Sequence, residues 1–157
     1  MPSNTAPLPS QLAVVAWSDP VLDALGFLPH DPYSELITVS ILGPSATLAW
    51  RRLAGLLGHH PEGFSLDLLE FAGSLGLGRG IGRHSPVSRT LHRLAAFRLA
   101  RFVDDDTYAV RRRVPPASRQ QVERFSPEQR RLHTALLARH DLERLGRDDT
   151  APWCRTT

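Results

Sequence analysis

The middle of the sequence carries positive charge that no acidic residue balances. Residues 71–103 contain no Asp or Glu, and their basic residues are two histidines and six arginines, namely His84, His92, Arg79, Arg83, Arg89, Arg93, Arg98 and Arg101. Positive charge concentrated on one segment is the electrostatic footprint of a protein that contacts a phosphate backbone. The segment therefore predicts a nucleic-acid partner, and an ordinary solvated face of charged residues is the alternative.

The remaining reactive groups favour neither catalysis nor a cofactor. All nineteen strong bases are arginine, so the lysine that contacts phosphates in nucleotide-binding loops or forms Schiff bases is missing. Cys154 is the only cysteine, and a single cysteine forms neither an internal disulfide nor a cysteine zinc cluster. His59, His60 and Glu62 lack the spacing that places two metal ligands on one helix face. We expect no enzyme activity, no metal and no other cofactor.

Length and composition predict one compact domain with extensions. The chain has 157 residues, of which 41% are hydrophobic, enough for one core and too few for two full domains. No apolar run approaches the about eighteen residues of a membrane span, and the N-terminus lacks the basic region of a signal peptide. We expect a cytoplasmic protein with no membrane partner.

Local signals place the first elements along the chain. Residues 1–18 begin with prolines among small polar residues and are predicted to be a flexible N-terminal segment. Residues 19–114 are predicted to form the domain, which opens with a short helix capped by Asp19 and begun by Pro20. The spacing of the apolar residues over 33–41 predicts a helix, although the alternation of apolar and polar residues over 37–41 also fits a strand.

Three longer helices and a hairpin follow in this domain. The first is predicted from Pro44 to about Gly58, the second after a Ser65 cap, and the third from a Ser85 cap with Pro86 in its first turn. Residues 100–103 and 107–111 have strand character and flank an acidic turn at 104–106, which predicts a β-hairpin. The predicted fold class is mainly α with a small β-hairpin.

The C-terminal part is predicted to be a helical extension over residues 115–146. Ser126 is the expected cap of a long helix that ends at Gly146, and residues 147–157 form a loose tail. The leucines of this helix, Leu132, Leu136 and Leu145, need an apolar surface. A second copy of the chain could supply it, which predicts a possible homodimer, and packing back onto the chain's own domain is the alternative.

Two stretches resemble parts of a known family. Residues 68–77, with the sequence LLEFAGSLGL, resemble the first helix and turn of a bacterial helix-turn-helix, and residues 87–94, with the sequence VSRTLHRL, resemble the recognition helix of winged helix-turn-helix DNA-binding proteins. The hairpin at 101–111 then matches the wing of that family. The resemblance covers about residues 44–114 and implies a winged helix-turn-helix domain with N- and C-terminal helical extensions.

The resemblance implies sequence-specific binding of double-stranded DNA, and with it transcriptional regulation. In this family the third helix enters the major groove, where arginine can grip guanine with two hydrogen bonds. Contacts to base edges would then fall on Ser88, Arg89, His92 and Arg93. Contacts to the phosphate backbone, which set the register without recognising sequence, would fall on Arg79, Arg83, Ser85, Arg111, Arg112 and Arg113.

Three features depart from the family pattern. A glycine-rich stretch at 78–82 replaces the tight turn, and Arg98 stands where a glycine is expected after the third helix, so that helix could continue to Phe102. The wing tip is formed by three aspartates at 104–106, which phosphates would repel. A protein partner at this tip is therefore a second possibility.

The alternative function is a winged-helix protein-interaction module in a replication or transcription assembly. Residues 42–48, with the sequence LGPSATL, resemble the segment that opens the winged domain of Gram-positive primosome and helicase-loading proteins. The acidic hairpin tip favours this alternative, whereas the basic third helix favours DNA.

Overall fold

The computed structural model describes residues 7–148, and it describes their side chains as far as residue 144. The chain divides after Pro115 into two compact units. The first unit contains a small sheet and six helices, and the second contains two helices. The fold is mainly helical with a small β part, as predicted, and the β part is larger than a single hairpin.

The sheet of the first unit has four strands from distant parts of the chain. They are β1 (Gln11–Ala16), β2 (Phe64–Asp67), β3 (Ala100–Phe102) and β4 (Thr107–Val110), in the spatial order β2-β1-β4-β3. β1 pairs antiparallel with β2 and parallel with β4, and β3 and β4 form the predicted hairpin. Leu12, Val14 and Tyr108 lie on the face that is buried in the core.

The N-terminal strand contradicts the prediction of a flexible segment over residues 1–18. β1 lies in the middle of the sheet, and Leu12 and Val14 are completely buried. Residues 11–14 of this strand pair with β2 and residues 13–16 pair with β4, so the partners are about fifty and ninety-five positions away, which no local pattern reveals. Residues 1–6 of the predicted flexible segment lie outside the described residues.

The chain between β1 and the first long helix forms three short helices. These are α1 (Pro20–Leu25), α2 (Pro32–Leu36) and α3 (Thr38–Leu42). Asp19 caps α1 as predicted, because its carboxylate accepts hydrogen bonds from the amides of Val21 and Leu22. The expected helix over 33–41 is interrupted at Ile37, and no strand forms there.

Three helices complete the first unit: α4 (Pro44–His59), α5 (Leu68–Ser74) and α6 (Pro86–Ala96). α4 contacts α6 as well as the sheet, and its Trp50 is completely buried. The indole Nε1 of Trp50 donates to the carbonyl of Arg111 at 2.9 Å, which ties α4 to the end of β4. The prediction that Ser65 begins the second helix is wrong, because residues 64–67 form β2 and Asp67 caps α5 instead.

Arg98 ends α6 in a conformation that sequence rules assign to glycine. Its φ is +58°, and it is the only non-glycine residue with positive φ among residues 7–148. The amides of Arg98 and Leu99 donate back to the carbonyls of Ala95 and Leu94 at 3.1 and 3.0 Å, which is the hydrogen-bond pattern of a Schellman motif. The prediction that this helix could continue to Phe102 is wrong, because the motif closes it and β3 begins at Ala100.

The second unit consists of α7 (Arg119–Glu123) and α8 (Pro127–Asp148). α7 was not predicted, although a capping box between Ser118 and Gln121 begins it. α8 begins as predicted, since the hydroxyl of Ser126 accepts from the amide of Gln129. Residues 147 and 148 belong to α8 rather than to the predicted tail, and residues 149–157 lie outside the described residues.

Candidate nucleic-acid interface

α6 is built so that one side is buried and the other is cationic. The hydroxyl of Ser85 accepts from the amide of Ser88, Pro86 follows in the first turn, and the apolar side chains Val87, Leu91 and Leu94 are completely buried. The positions on the opposite side are exposed, and they are Pro86, Arg89, Arg93 and Ala96. The spacing of three or four residues aligns them on one face of the helix.

Ser88 lies on the buried side of α6, so its prediction as a base contact is wrong. Only 1% of Ser88 is exposed, because position 88 lies beside positions 87 and 91 on the wide apolar stripe of the helix. A small hydroxyl is tolerated there since it lies within reach of His92, whose Nδ1 is 3.4 Å from it.

His92 occupies the border between the buried and exposed sides. Its Nδ1 lies 2.8 Å from the backbone carbonyl of Ser88, and because a carbonyl only accepts, Nδ1 carries the proton. The ring also contacts Phe102 of β3, with a centroid distance of 4.9 Å. These contacts leave Nε2 as the ring atom available to an outside partner.

The two arginines of α6 differ in what they contact. Arg93 donates from Nε to the carbonyl of Leu42 and from Nη2 to the carbonyl of Ile41, and its guanidinium lies over the ring of Phe97. Arg89 is exposed, and its side chain has no hydrogen bond or ion pair with any residue in the described part of the chain. Of the two, Arg89 alone keeps all five N–H donors for a partner.

The loop between α5 and α6 carries further cations with no partner inside the structure. Gly76 and Gly78 have φ values of +70° and +78°, a conformation that a side chain would disfavour. Arg79, Arg83 and His84 of this loop are exposed, and no residue among 7–148 pairs with them. Their position next to the first turn of α6 agrees with the prediction that Arg79 and Arg83 contact a phosphate backbone, which stays a prediction.

The structure gives Arg111, Arg112 and Arg113 a different role from the predicted phosphate contacts. Arg111 forms an ion pair with Asp19 at 2.7 Å and donates to the carbonyl of Arg98 at 2.7 Å, and its side chain is only 15% exposed. Arg112 pairs with Asp23 at 3.0 Å, and Arg113 donates to the carbonyl of Gly26 at 3.2 Å. These contacts fasten the segment after β4 to the α1 region.

The ion pair of Arg111 is reinforced by an aromatic ring. The guanidinium carbon of Arg111 lies 3.8 Å from the ring centroid of Trp17, and that of Arg101 lies 4.6 Å from the same ring. Stacking of this kind is favourable for arginine. Hydrogen bonds from the Leu22 amide and from Arg111 lower the pKa of Asp19, so the pair stays charged in neutral solution.

The hairpin tip is a self-contained acidic turn. The carboxylate of Asp104 accepts from the amide of Asp106 at 3.1 Å, and all three aspartates are exposed. Hydrogen bonds from Asp106 lower the pKa of Asp104. The tip is therefore anionic at neutral pH, as turn chemistry predicts, and it is repelled by phosphates.

The chain matches no protein-family model, and comparisons with curated proteins and with solved structures give no match. Within residues 7–148, no three His, Cys, Asp or Glu side chains are grouped as metal ligands. None of the helices described there has both the length and the apolar character needed to cross a membrane.

Sequence reasoning missed a second group of arginines, on the outward side of α4. Arg51 and Arg52 face away from the core, on the same side as Gly55, Gly58 and His59. The sequence signal that could have indicated this face is the pair of glycines, because a glycine inside a helix lowers helix stability by up to about 1 kcal/mol relative to alanine.

Proposed function

We propose that the first unit is a winged helix that binds double-stranded DNA sequence-specifically and acts in transcriptional regulation. The order α4, β2, α5, α6, β3, β4 supports this proposal because winged helix-turn-helix domains have their elements in this order. β1 is an addition to that pattern, since it separates β2 from β4. In the proposed complex α6 lies in the major groove and the loop before it contacts phosphates.

The single observation that carries the proposal is Arg89. It is exposed on the outward side of α6, none of its guanidinium donors bonds to a residue among 7–148, and no acidic residue occurs between positions 71 and 103. We assign contact with a base edge to Arg89, supported by Nε2 of His92. Arg93 is assigned to the positioning of α6 against α3, and Ser88 and Arg111 are assigned no DNA contact.

The test is a salt titration of duplex binding by wild type, Arg89→Ala and Arg83→Ala. DNA selected from a random pool and a scrambled duplex serve as the two ligands. Arg89→Ala should remove about 1 to 3 kcal/mol of discrimination between them. Arg83→Ala should weaken both complexes alike and reduce the salt slope by about 0.9, the contribution of one phosphate.

Arg119→Ala is the matched control, because Arg119 is a fully exposed arginine of α7 that pairs only with Glu123. It should change neither the discrimination nor the slope. If wild type binds no duplex in a salt-dependent manner, the proposal is wrong. If Arg89→Ala and Arg119→Ala behave alike, α6 does not contact base edges.

A protein-interaction module is the second candidate, and the hairpin tip favours it. Asp104, Asp105 and Asp106 are exposed beside Val103, which is 52% exposed. A charged turn next to an exposed apolar side chain suits a basic protein partner better than a phosphate backbone. Replacing the three aspartates with asparagine should strengthen nonspecific duplex binding if the tip lies near DNA, and should leave it unchanged if the tip faces a protein.

A further inference from the structure

A cleft of about 790 Å³ lies on the outward side of α4. Its walls come from α4, from the loop between α1 and α2, and from the segment after β4, all within the first unit. α6 packs against the other side of α4, where Ala46, Trp50 and Leu53 are buried. The cleft is therefore separate from the exposed side of α6, and its volume is in the range of small-molecule sites, about 300 to 1,000 Å³.

The lining of the cleft carries more positive than negative charge. Four arginines and two histidines contribute to it, namely Arg51, Arg52, Arg112, Arg113, His30 and His59, and Asp23 is the only acidic residue among the described lining residues. Asp23 pairs with Arg112 at 3.0 Å, and Glu35 lies 3.6 Å from Arg51, so two of the arginines are partly neutralised. Positive charge gathered in a concave site focuses the electrostatic field and raises the local concentration of anions. The lining therefore favours an anionic ligand.

Internal hydrogen bonds hold these guanidinium groups in place and leave donors free. Arg51 donates to the carbonyl of Pro29 at 2.7 Å, and Arg52 donates to the hydroxyl of Ser74 at 2.7 Å. Arg112 is held by Asp23 through Nη2 at 3.0 Å. An arginine has five N–H donors, so each of these side chains can still bind an anion without first being ordered, which reduces the entropic cost of binding.

Two glycines leave the floor of the cleft open. A Cβ atom added to Gly55 or Gly58 would have no atom within 4 Å, apart from the helix itself and the chain neighbours. No packing constraint explains glycine at these positions, and Gly55 lies well inside α4, where alanine would favour the helix. Their common feature is that both line the cleft.

The cleft also has an apolar wall. Leu28, Pro29 and Ala54 contribute to it, and so does Leu48, which is 44% exposed. An inorganic anion would use only the arginines and would leave most of the volume empty. A ligand with an anionic group at one end and a flat apolar body at the other would use both parts.

We propose that this cleft binds a phosphorylated small molecule with a flat aromatic ring, a nucleoside monophosphate being the representative of that class. The phosphate lies among the arginines, whose planar forks match its oxygens, and the apolar face of the base lies over Gly55 and Gly58. Arg112 and Arg113 line this cleft and were predicted from the sequence to contact phosphates, but none of the residues that the proposed function assigns to DNA lines it, so the site is separate from the proposed DNA contact.

The test uses the full chain and adenosine 5′-monophosphate in about 0.15 M salt, where weak surface electrostatics are screened. The ligand should bind saturably, shift the amide signals of Gly55 and Gly58 in a heteronuclear NMR spectrum, and raise the unfolding temperature. Adenosine, which lacks the phosphate, should bind more weakly by about tenfold or more, as expected for the loss of a charge-assisted contact.

Matched variants locate the binding. Arg52→Gln should weaken the nucleotide by about tenfold, whereas Arg83→Gln, which removes the same charge from the loop before α6, should leave it unchanged. Gly55→Leu should block the cleft, and Gly73→Leu, at an open glycine of α5, should not. Gly55→Ala, which favours the helix, is the milder variant if Gly55→Leu fails to fold.

Two results would overturn the proposal. One is the absence of saturable nucleotide binding, or binding that Arg52→Gln and Gly55→Leu leave unchanged. The other concerns the source of the phosphate: if a duplex displaces the nucleotide and itself shifts Gly55 and Gly58, the cleft contacts the DNA backbone rather than a small molecule. If the protein binds the nucleotide but binds no duplex, the proposed function is wrong and the cleft proposal stands.

Discussion

Arg98 holds a backbone conformation that glycine adopts at much lower cost. The left-handed conformation of a residue with a Cβ costs about 1 kcal/mol or slightly more. The side chain of Arg98 makes no hydrogen bond, ion pair or ring contact with a described residue that would offset it, and the backbone of this residue closes α6 and accepts from Arg111. We predict that Arg98→Gly raises the free energy of unfolding by about 1 kcal/mol, measured by urea denaturation.

Arg83→Gly is the control for this substitution. Arg83 is also exposed and pairs with no residue in the described part of the chain, but its φ is not positive. Glycine there only increases the freedom of the unfolded chain, so stability should stay constant or fall slightly. If Arg98→Gly destabilises the protein as much as Arg83→Gly does, the conformation of Arg98 carries no strain.

The sequence shows where the arginines are, but it does not show which of them pair with other residues of the same chain. Arg89 and Arg111 are the same residue type, and both were predicted to contact DNA. Arg111 pairs with Asp19, about ninety positions earlier in the chain, whereas the side chain of Arg89 pairs with no residue among 7–148. Only the folded backbone brings such distant groups together, so no local pattern separates the two cases.

At the scale of elements, α1 depends on Asp19, which both caps the helix and joins it to the segment after β4. The hydrogen bond from the Leu22 amide and the contact with Arg111 lower the pKa of this carboxyl. A group whose pKa is lowered by folding stabilises the protein above its ordinary pKa of about 3.9, and the contribution is lost as the pH falls through the lowered value. We predict that the wild type loses this stability below about pH 4.

Asp19→Asn separates the charge of this residue from its capping role. Asparagine still accepts from the amides at the start of α1, but it cannot ionise or pair with Arg111. Urea denaturation from neutral to acidic pH should therefore show a smaller loss of stability in Asp19→Asn than in wild type. Parallel curves for the two proteins would mean that Asp19 titrates alike in the folded and unfolded chains.

Helices with local signals could be predicted from the sequence, whereas strands that depend on distant partners could not. Ser85, Pro86 and the apolar spacing of α6 all lie within one segment, so the start of that helix followed from the sequence, whereas its end at Ala96 did not. β2 has only four residues, and its partner is β1. A short strand without a hairpin turn beside it resembles the start of the next helix, which explains why Ser65 was mistaken for a cap.

For the whole molecule, β1 determines whether the first unit has one sheet. It is the only connection between β2 and the β3–β4 hairpin in the described sheet, and its Leu12 faces Leu66 across the pairing. We predict that removing residues 1–18 abolishes cooperative unfolding of the first unit, since β2 and β4 would both be left with an unpaired edge. Near-ultraviolet circular dichroism during urea denaturation measures this loss.

Single substitutions test the contribution of β1 to stability without truncating the chain. Leu12 is completely buried, so Leu12→Ala should cost about 2 to 5 kcal/mol through the lost apolar contacts and the cavity left behind. Ala13 is the next residue on the same strand and is exposed, so Ala13→Ser should change the free energy of unfolding by no more than about 0.5 kcal/mol. A Leu12→Ala protein as stable as Ala13→Ser would mean that β1 pairs only weakly. If the protein that lacks residues 1–18 still shows the signals of folded α6, the helices fold without the N-terminal strand, because α4 and α6 bury their apolar sides against each other.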